Sequence, residues 1–546
     1  GRPVVYALPA GLLHACDYYG GHLGVRGTSR MLLQKALIAK FLSYSTESRT
    51  MLRPGCIPMV VTRDVEDLVE SGFMRVVDLT KGIGDIIAML IFQLMVPFMF
   101  GRPLNIGVLL ALFCLPALEA LLFIRRQERT TEQMEKMHEN LEALTTLANE
   151  TVEEFPLISA YNCRARATDR FADLVSAKNT CDGATVLLLL NNNYFRTWLL
   201  VLLVSCYFFY GGWQVLHGAL SLGIFLANIS VFNTIGTSCN MIAELFQDME
   251  RATPALERIA VLLNLPDDNT RRMELLSKTR AETQKLLDGL TQISMDDLPI
   301  RVADVQYKYL ANHTASLWAP INLRGVMQIR QGTMVSLVGR PSEGKSTLLK
   351  LLGGELLVQD ASIAGPNSQV FIPTHLRVAH MGGEPALFQG TLYDNLTYGI
   401  SHHASSDGNP ERVIEICRLL GLSRDVLAFV HSREIHNWSI VLSSTDAYVL
   451  CLARALIANP QVLCLHKPTH LFDEVRSDEI LQVLRRFVEE SGLVLDPASA
   501  DRRPRTCIFT SSKLLGVEVS DQVFHISSDH GIQPVEKHLV TAEMLH

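Results

Sequence analysis

Long uncharged runs fill the first half of the chain, and short apolar runs separated by turns fill the second. Ile86–Gly101 carries no charge and, with Gly82–Asp85, is long enough to cross a hydrocarbon layer of about 30 Å. Gly101-Arg102-Pro103 breaks that run, and Leu104–Ile124 returns with Glu119 as its one acidic or basic residue. Thr185–Leu216 carries only Arg196, and Gly218–Ala243 carries no charge. These four stretches read as membrane spans. Pro3–Cys16 is also uncharged but short, as a partial span would be. His22–Ser45 turns polar with helical periodicity, through Arg26, Arg30, Lys35 and Lys40. Arg125–Asp182, between the second span and the third, is polar and rich in helix formers.

The charges orient these spans. Eight Lys or Arg residues lie in the long polar stretch: Arg125, Arg126, Arg129, Lys136, Arg164, Arg166, Arg170 and Lys178. The two short hairpins carry only Arg102 and the titratable His217. By the positive-inside rule the long stretch faces the cytoplasm, or the matrix of an organelle, and the hairpins face away. An integral membrane protein is therefore expected, in contact with lipid, in a membrane the sequence does not name. Within the spans, Glu119, Asn191, Asn192, Asn193 and Arg196 are costly if they face lipid. They serve either a substrate pathway, or interhelical hydrogen bonds and snorkelling near the interface, and the latter is the commoner use of such residues taken singly.

Composition agrees with this pattern. The chain has 546 residues, 48% apolar and 19% charged, with a mean hydropathy of +0.19, so several domains and membrane spans are expected. A net charge of −7 gives no support to a nucleic-acid partner. Eleven cysteines without a CxxC pair read as free thiols, with Cys114, Cys206 and Cys239 expected to be buried. The first residue is Gly1, and with the short first run this suggests a missing first span.

In the second half one stretch carries recognisable chemistry. Gly339-Arg340-Pro341-Ser342-Glu343-Gly344-Lys345-Ser346-Thr347 has the G-x-x-x-x-G-K-S-T spacing of a phosphate-binding P-loop. Met334–Val338 before it suits a buried strand, and Thr347–Leu352 after it has helical spacing. Backbone N–H groups and the positive end of the helix then converge where a polyphosphate can sit. Lys345 would reach the terminal phosphates and Ser346 would place its hydroxyl on a magnesium ion. The expected cofactor is ATP or ADP, held by Gly339, Ser342, Glu343, Gly344, Lys345, Ser346 and Thr347. Val305–Tyr309 alternates like a strand about thirty residues earlier, and the Tyr309 ring could stack on an adenine.

Downstream come Glu384-Pro385-Ala386-Leu387-Phe388-Gln389-Gly390-Thr391-Leu392, then Asn395-Leu396, Leu452-Ala453-Arg454-Ala455-Leu456, and Asn459-Pro460-Gln461-Val462-Leu463-Cys464-Leu465. With the spans, this order resembles an ABC transporter of the exporter type, a half-transporter. The resemblance covers almost the whole chain. It implies a membrane α-helical bundle followed by an α/β P-loop nucleotide-binding domain. The expected organisation is a transmembrane domain over 1–266 with long intracellular helical extensions, a linker over 267–298 and an ABC-type nucleotide-binding domain over 299–546. Thr62-Arg63-Asp64-Val65 resembles the lead into the family's third span, and Asn149–Tyr161 resembles its second coupling helix.

Four departures from the family pattern bear on activity. Where the family has an aspartate that holds hydrated magnesium and a glutamate that polarises water, this chain has His466 and Lys467. Gly383 replaces the glutamine that reports the γ-phosphate, and Ser512 replaces the switch histidine. The signature Leu-Ser-Gly-Gly-Gln is Leu442-Ser443-Ser444-Thr445-Asp446, where side chains and a carboxylate crowd the nucleotide of an opposite subunit. Asp473 of the dimer-contact loop is retained, and Glu474 would have to fold back to substitute for a lost carboxylate. No catalytic residue is therefore assigned. What remains is nucleotide binding without efficient hydrolysis, with magnesium binding weakened. Lys467, and His466 if protonated, would put positive charge beside the phosphates. The expectation is an accessory or scaffold subunit of a membrane assembly. The alternative is the silent half of a heterodimeric exporter whose second half-transporter keeps intact motifs. Two further features read as surface loops: His402-His403, and Arg502-Arg503-Pro504-Arg505 after Asp496–Asp501.

Overall fold

Backbone in lipid has no water to bond to, so an uncharged run must satisfy its own N–H and C=O groups, and a helix does so within one segment. The computed structural model describes residues 11–12, 14–16, 18–52, 55–100, 106–218, 220–288, 294–309, 321–358, 369–400, 405–495 and 502–545. Its first half is helical: α1 (Val25–Ser43), α2 (Met74–Phe100), α3 (Ile106–Glu153), α4 (Phe155–Ala160), α5 (Arg164–Leu216) and α6 (Leu222–Asn264). Among the described residues, α5 and α6 are long and apolar enough to cross a membrane. The spans expected over Ile86–Gly101 and Leu104–Ile124 fall on α2 and α3. The break Gly101-Arg102-Pro103 and most of Pro3–Cys16 lie outside the described residues, as do His402-His403 and Asp496–Asp501. The chain divides into two compact units, residues 1–44 with 52–266, and residues 45–51 with 267–546.

In the first unit α3 runs against α5, and α2 against α6. Close approach is made by small residues: a Cβ on Gly236 of α6 would lie 2.4 Å from Leu200 Cδ1 on α5. Asn228 Nδ2 donates to Tyr207 Oη (2.8 Å), joining the same two helices. Asn192 on α5 accepts from Arg126 Nη1 on α3 (2.8 Å) and donates to Thr130 Oγ1 (3.2 Å). The segment leading into α2 is helical with two π-helical stretches, Val60–Asp64 and Leu68–Phe73. Asp64 within it is fully buried and receives Arg258 Nε and Nη2 at 2.7 and 3.0 Å. All eleven cysteines are free, as expected, but of the three expected to be buried only Cys239 is. Cys114 and Cys206 are exposed, because an uncharged span is sheltered by lipid and not by its own unit. Between the long polar arms of α3 and α5 sits α4, with Phe155 and Leu157 and the following Tyr161 exposed.

Besides residues 45–51, the second unit contains α7 (Asn269–Asp288). Strands β1 (Ile300–Tyr307), β2 (Ile321–Ile329) and β4 (Gln369–Phe371) form an antiparallel sheet in the order β2-β1-β4. The second sheet contains β3 (Met334–Val338), β5 (Val378–Met381), β6 (Val462–Leu465), β7 (Thr506–Thr510), β8 (Gln522–Ser527) and β9 (Gly531–Pro534). Its order is β5-β6-β7-β3-β8-β9, parallel except for the β8–β9 pair. Strands β3, β6 and β7 are buried on every residue, as a parallel sheet covered on both faces requires. The helices α8 (Lys345–Leu352), α9 (Leu392–Thr397), α10 (Pro410–Leu419), α11 (Ser444–Ile457) and α12 (Glu474–Glu489) complete this unit's main elements. The basic surface loop expected at Arg502–Arg505 is corrected at its last residue. Arg505 is 1% exposed and donates to Asn459 Oδ1 (3.0 Å) and the Arg503 carbonyl (2.9 Å), because a buried guanidinium needs acceptors.

Candidate nucleotide-binding site

Ligands of open parallel sheets bind beyond the carboxyl ends of the strands, and three such ends meet here: those of β3, β6 and β7. The chain leaves β3 through Gly339 and enters α8 at Lys345, with Gly344 as the N-cap in a left-handed conformation. Gly339 has φ +150°, and a Cβ there would lie 2.2 Å from the Ile526 carbonyl of β8, so only glycine fits. Ser342 also has positive φ, at 68°. Glu343 Oε2 accepts the Arg340 N–H at 2.8 Å and closes the loop from within. Lys345 is buried, and its ammonium donates to the Gly339 carbonyl and to that of Arg340 (2.6 Å). Burial and the nearby Lys467 bring its pKa down to about 8, against the opposing pull of Glu343. Ser346 is half-buried on the first turn of α8, and Thr347 is buried. Thr347 Oγ1 shares a hydrogen bond with Tyr309 Oη at 3.0 Å, and the Tyr309 ring, 37% exposed, rests edge-on against Tyr307. All the residues expected to hold nucleotide are thus in one loop, its helix and the segment just beyond β1, the first sheet's central strand.

The opposite margin is built from β6 and β7. His466 continues β6 by donating its N–H to the Met381 carbonyl (3.0 Å), and Lys467 then turns with φ +49°. Thr510 at the end of β7 joins the two: its Oγ1 accepts the Lys467 N–H (2.7 Å) and lies 3.3 Å from His466 Nδ1. The Lys467 carbonyl lies 2.7 Å from His470 Nδ1 and 3.4 Å from the Tyr448 hydroxyl. Burial, with Lys467, His380, His470 and Lys345 adding to it, holds the His466 pKa down at about 4. The imidazole is therefore neutral at pH 7, and of the two cations read from the sequence only Lys467 carries charge. A Cβ on Gly383 would stand 3.4 Å from His466 Cδ2, so these two replaced positions face each other. Thr510, Tyr448 and His470 were not singled out from the sequence, because nothing in their spacing links them to Lys467.

The remaining motif residues have structural partners. Ser443 caps α11, accepting the Asp446 N–H (3.0 Å) and donating to Asp446 Oδ2 (2.7 Å). Asp473 caps α12 by accepting the Arg476 N–H (2.9 Å), and Glu474 is exposed on its first turn. Ser512 is half-buried, and the neighbouring Lys513 ammonium reaches the Phe472 carbonyl (2.7 Å) and Ser477 (2.9 Å).

Comparison with known proteins agrees with this geometry. Residues 5–238 match the family profile "ABC transporter transmembrane region", and residues 325–470 match "ABC transporter". The chain belongs to the ABC transporters. One transmembrane region followed by one nucleotide-binding domain is the make-up of an exporter-type half-transporter. A putative export ATP-binding/permease protein of Rickettsia bellii is 23% identical over 361 residues, 65% of this chain and 58% of that protein. The mitochondrial iron-sulfur clusters transporter ABCB7 of Rattus norvegicus is 24% identical over 320 residues, 57% of this chain and 37% of that one. This ABC chain spans about half the length of the curated relatives it matches. A bacterial Atm1-family ABC exporter solved with ATP bound has the same fold, with a TM-score of 0.73 and 16% identity over 98% of this chain and 88% of that one.

Proposed function

We propose that this ABC half-transporter binds ATP or ADP without efficient hydrolysis, and that it serves as an accessory or scaffold subunit of a membrane assembly. The observation that carries the reading is the pair at the end of β6, His466 and Lys467, both within electrostatic reach of Lys345. Hydrolysis requires a group that positions water and a metal clamp on the transferring phosphoryl. A neutral imidazole brings no negative charge to hold a magnesium ion, and an ammonium does the opposite of a general base. The P-loop fits a polyphosphate, since its backbone turn, Lys345 and the α8 N-terminus are all in place. The donor set fits magnesium poorly. Ser346 offers one hydroxyl, and His466 and Lys467 stand where a carboxylate would be needed to hold the hydrated ion beside the phosphates. In this reading residues 1–266 are the transmembrane domain, 267–298 the linker and 299–546 the nucleotide-binding domain, which lies on the cytoplasmic or matrix side.

A second reading, the silent half of a heterodimeric exporter, is favoured by a cavity of about 350 Å³ in the membrane unit. Glu119, Asn192 and Arg196 line it, and among the described residues Glu119 Oε1 and Arg196 Nη1 have no hydrogen-bond partner. Native purification in mild detergent tests both readings. An ATPase rate above background that vanishes in Lys345→Ala would overturn the non-hydrolytic reading. An equimolar half-transporter with intact motifs in the purified material would favour transport, and a large unrelated assembly the scaffold.

A further inference from the structure

Family members of this kind bring two carboxylates towards an anionic triphosphate, and a magnesium ion reconciles the like charges. The β6 margin of this chain has inverted that arrangement. Lys467 is fixed in a left-handed backbone conformation that a lysine does not adopt without cost. Its N–H is tied to Thr510, and its carbonyl to His470 and Tyr448. Those bonds determine where the side chain leaves the turn. Among the described residues the ammonium itself has neither a hydrogen bond nor an ion pair, although it is only half-exposed and within electrostatic reach of Lys345. Two ammonium groups sharing a partly buried cleft repel each other, and an anion between them removes the repulsion. Thr510 Oγ1 accepts from Lys467 and so has its own proton free for His466 Nδ1. That assigns the imidazole proton to Nε2, a neutral donor.

We infer that Lys467 takes the place of the metal: its ammonium, with Lys345, neutralises the phosphate oxygens that magnesium would bridge, so nucleotide binds without a divalent cation. This rests on the nucleotide-binding reading above. Charge-assisted hydrogen bonds from two lysines supply the attraction, and a divalent cation brought beside Lys467 would be repelled. No covalent step is involved.

The test is equilibrium binding of ATP and of ADP to the full chain in detergent, read by displacement of a fluorescent nucleotide, with excess magnesium and with EDTA. The expected wild-type affinities in the two buffers agree within about threefold, a difference well under 1.4 kcal/mol. In Lys467→Gln, affinity in EDTA falls about tenfold, the size of one lost charge-assisted hydrogen bond. His466→Asp/Lys467→Glu becomes dependent on magnesium, and Lys467→Arg keeps the wild-type pattern. A wild-type loss of about tenfold or more on chelation overturns the inference while leaving nucleotide binding intact. No binding in either buffer overturns the nucleotide-binding reading and the inference with it. The wild-type comparison needs no variant, so a misfolded mutant cannot obscure it.

Discussion

The two margins of the nucleotide cleft are built alike and carry different chemistry. Each is the carboxyl end of a buried parallel strand, β3 or β6, followed by a turn with positive φ and a lysine: Gly344 and Lys345 on one side, Lys467 on the other. The P-loop margin does its work with backbone. Its N–H groups, its glycines and the end of α8 would form the proposed phosphate cradle, and Gly339 also lets the loop pass the Ile526 carbonyl of β8. At the β6 margin, metal and water would be handled by side chains that no part of the fold leans on. A histidine there keeps the strand's hydrogen bond to Met381 as well as any residue would. Binding is thus welded to the architecture, whereas the metal and water chemistry rides on side chains that can change while the sheet stays the same.

That contrast can be broken by experiment. The largest effect is expected for Gly339→Ala, whose new Cβ has a backbone carbonyl in its way. It should cost about 3 kcal/mol, seen as a lower Tm of the full chain, and abolish nucleotide binding. The double exchange His466→Asp/Lys467→Glu on the other margin should move stability by less than about 1 kcal/mol. Equal losses at the two margins would end the comparison. Lys345→Ala should weaken ATP about a hundredfold in displacement titrations, since a desolvated charge partner of the phosphates is lost. Ser443→Ala removes the cap of α11 and should cost about 1 kcal/mol with unchanged ATP affinity.

The last effect is a pH dependence, invisible at neutral pH. His466 titrates at about 4 in the fold and ordinarily at 6.5, so the unfolded chain takes up the proton first as pH falls. Its contribution is whole above pH 6.5 and is lost between 6.5 and about 4. His466→Gln should flatten that limb of a Tm-versus-pH curve, and an unchanged limb would mean that the imidazole is not shielded.

The P-loop was legible because its spacing is local. Nine consecutive residues between a strand and a helix fix the geometry, and the structure brings all of them to one point with Tyr309. Arg505 shows the opposite case. Its neighbours Arg502 and Arg503 suggest an exposed basic loop, yet its side chain turns inward to Asn459, a partner 46 positions away. Cys114 and Cys206 failed for a related reason. Hydrophobic surroundings in the sequence do not distinguish a protein interior from a lipid-facing surface.

By itself, the sequence determined the order of the elements, the helical character of the first half and the strand, loop and helix on which the proposed phosphate site is built. Each follows from the spacing of residues within a single element. Tertiary structure alone decided the charge state of His466, because neutrality there comes from burial beside His380 of β5 and Lys345 of α8 as well as Lys467 and His470 of its own turn, three segments far apart in the chain. It likewise decided the support of Lys467, whose turn depends on Thr510 from β7 and Tyr448 from α11. An electrostatic field sums over every charge nearby in space, and distance along the chain does not enter it.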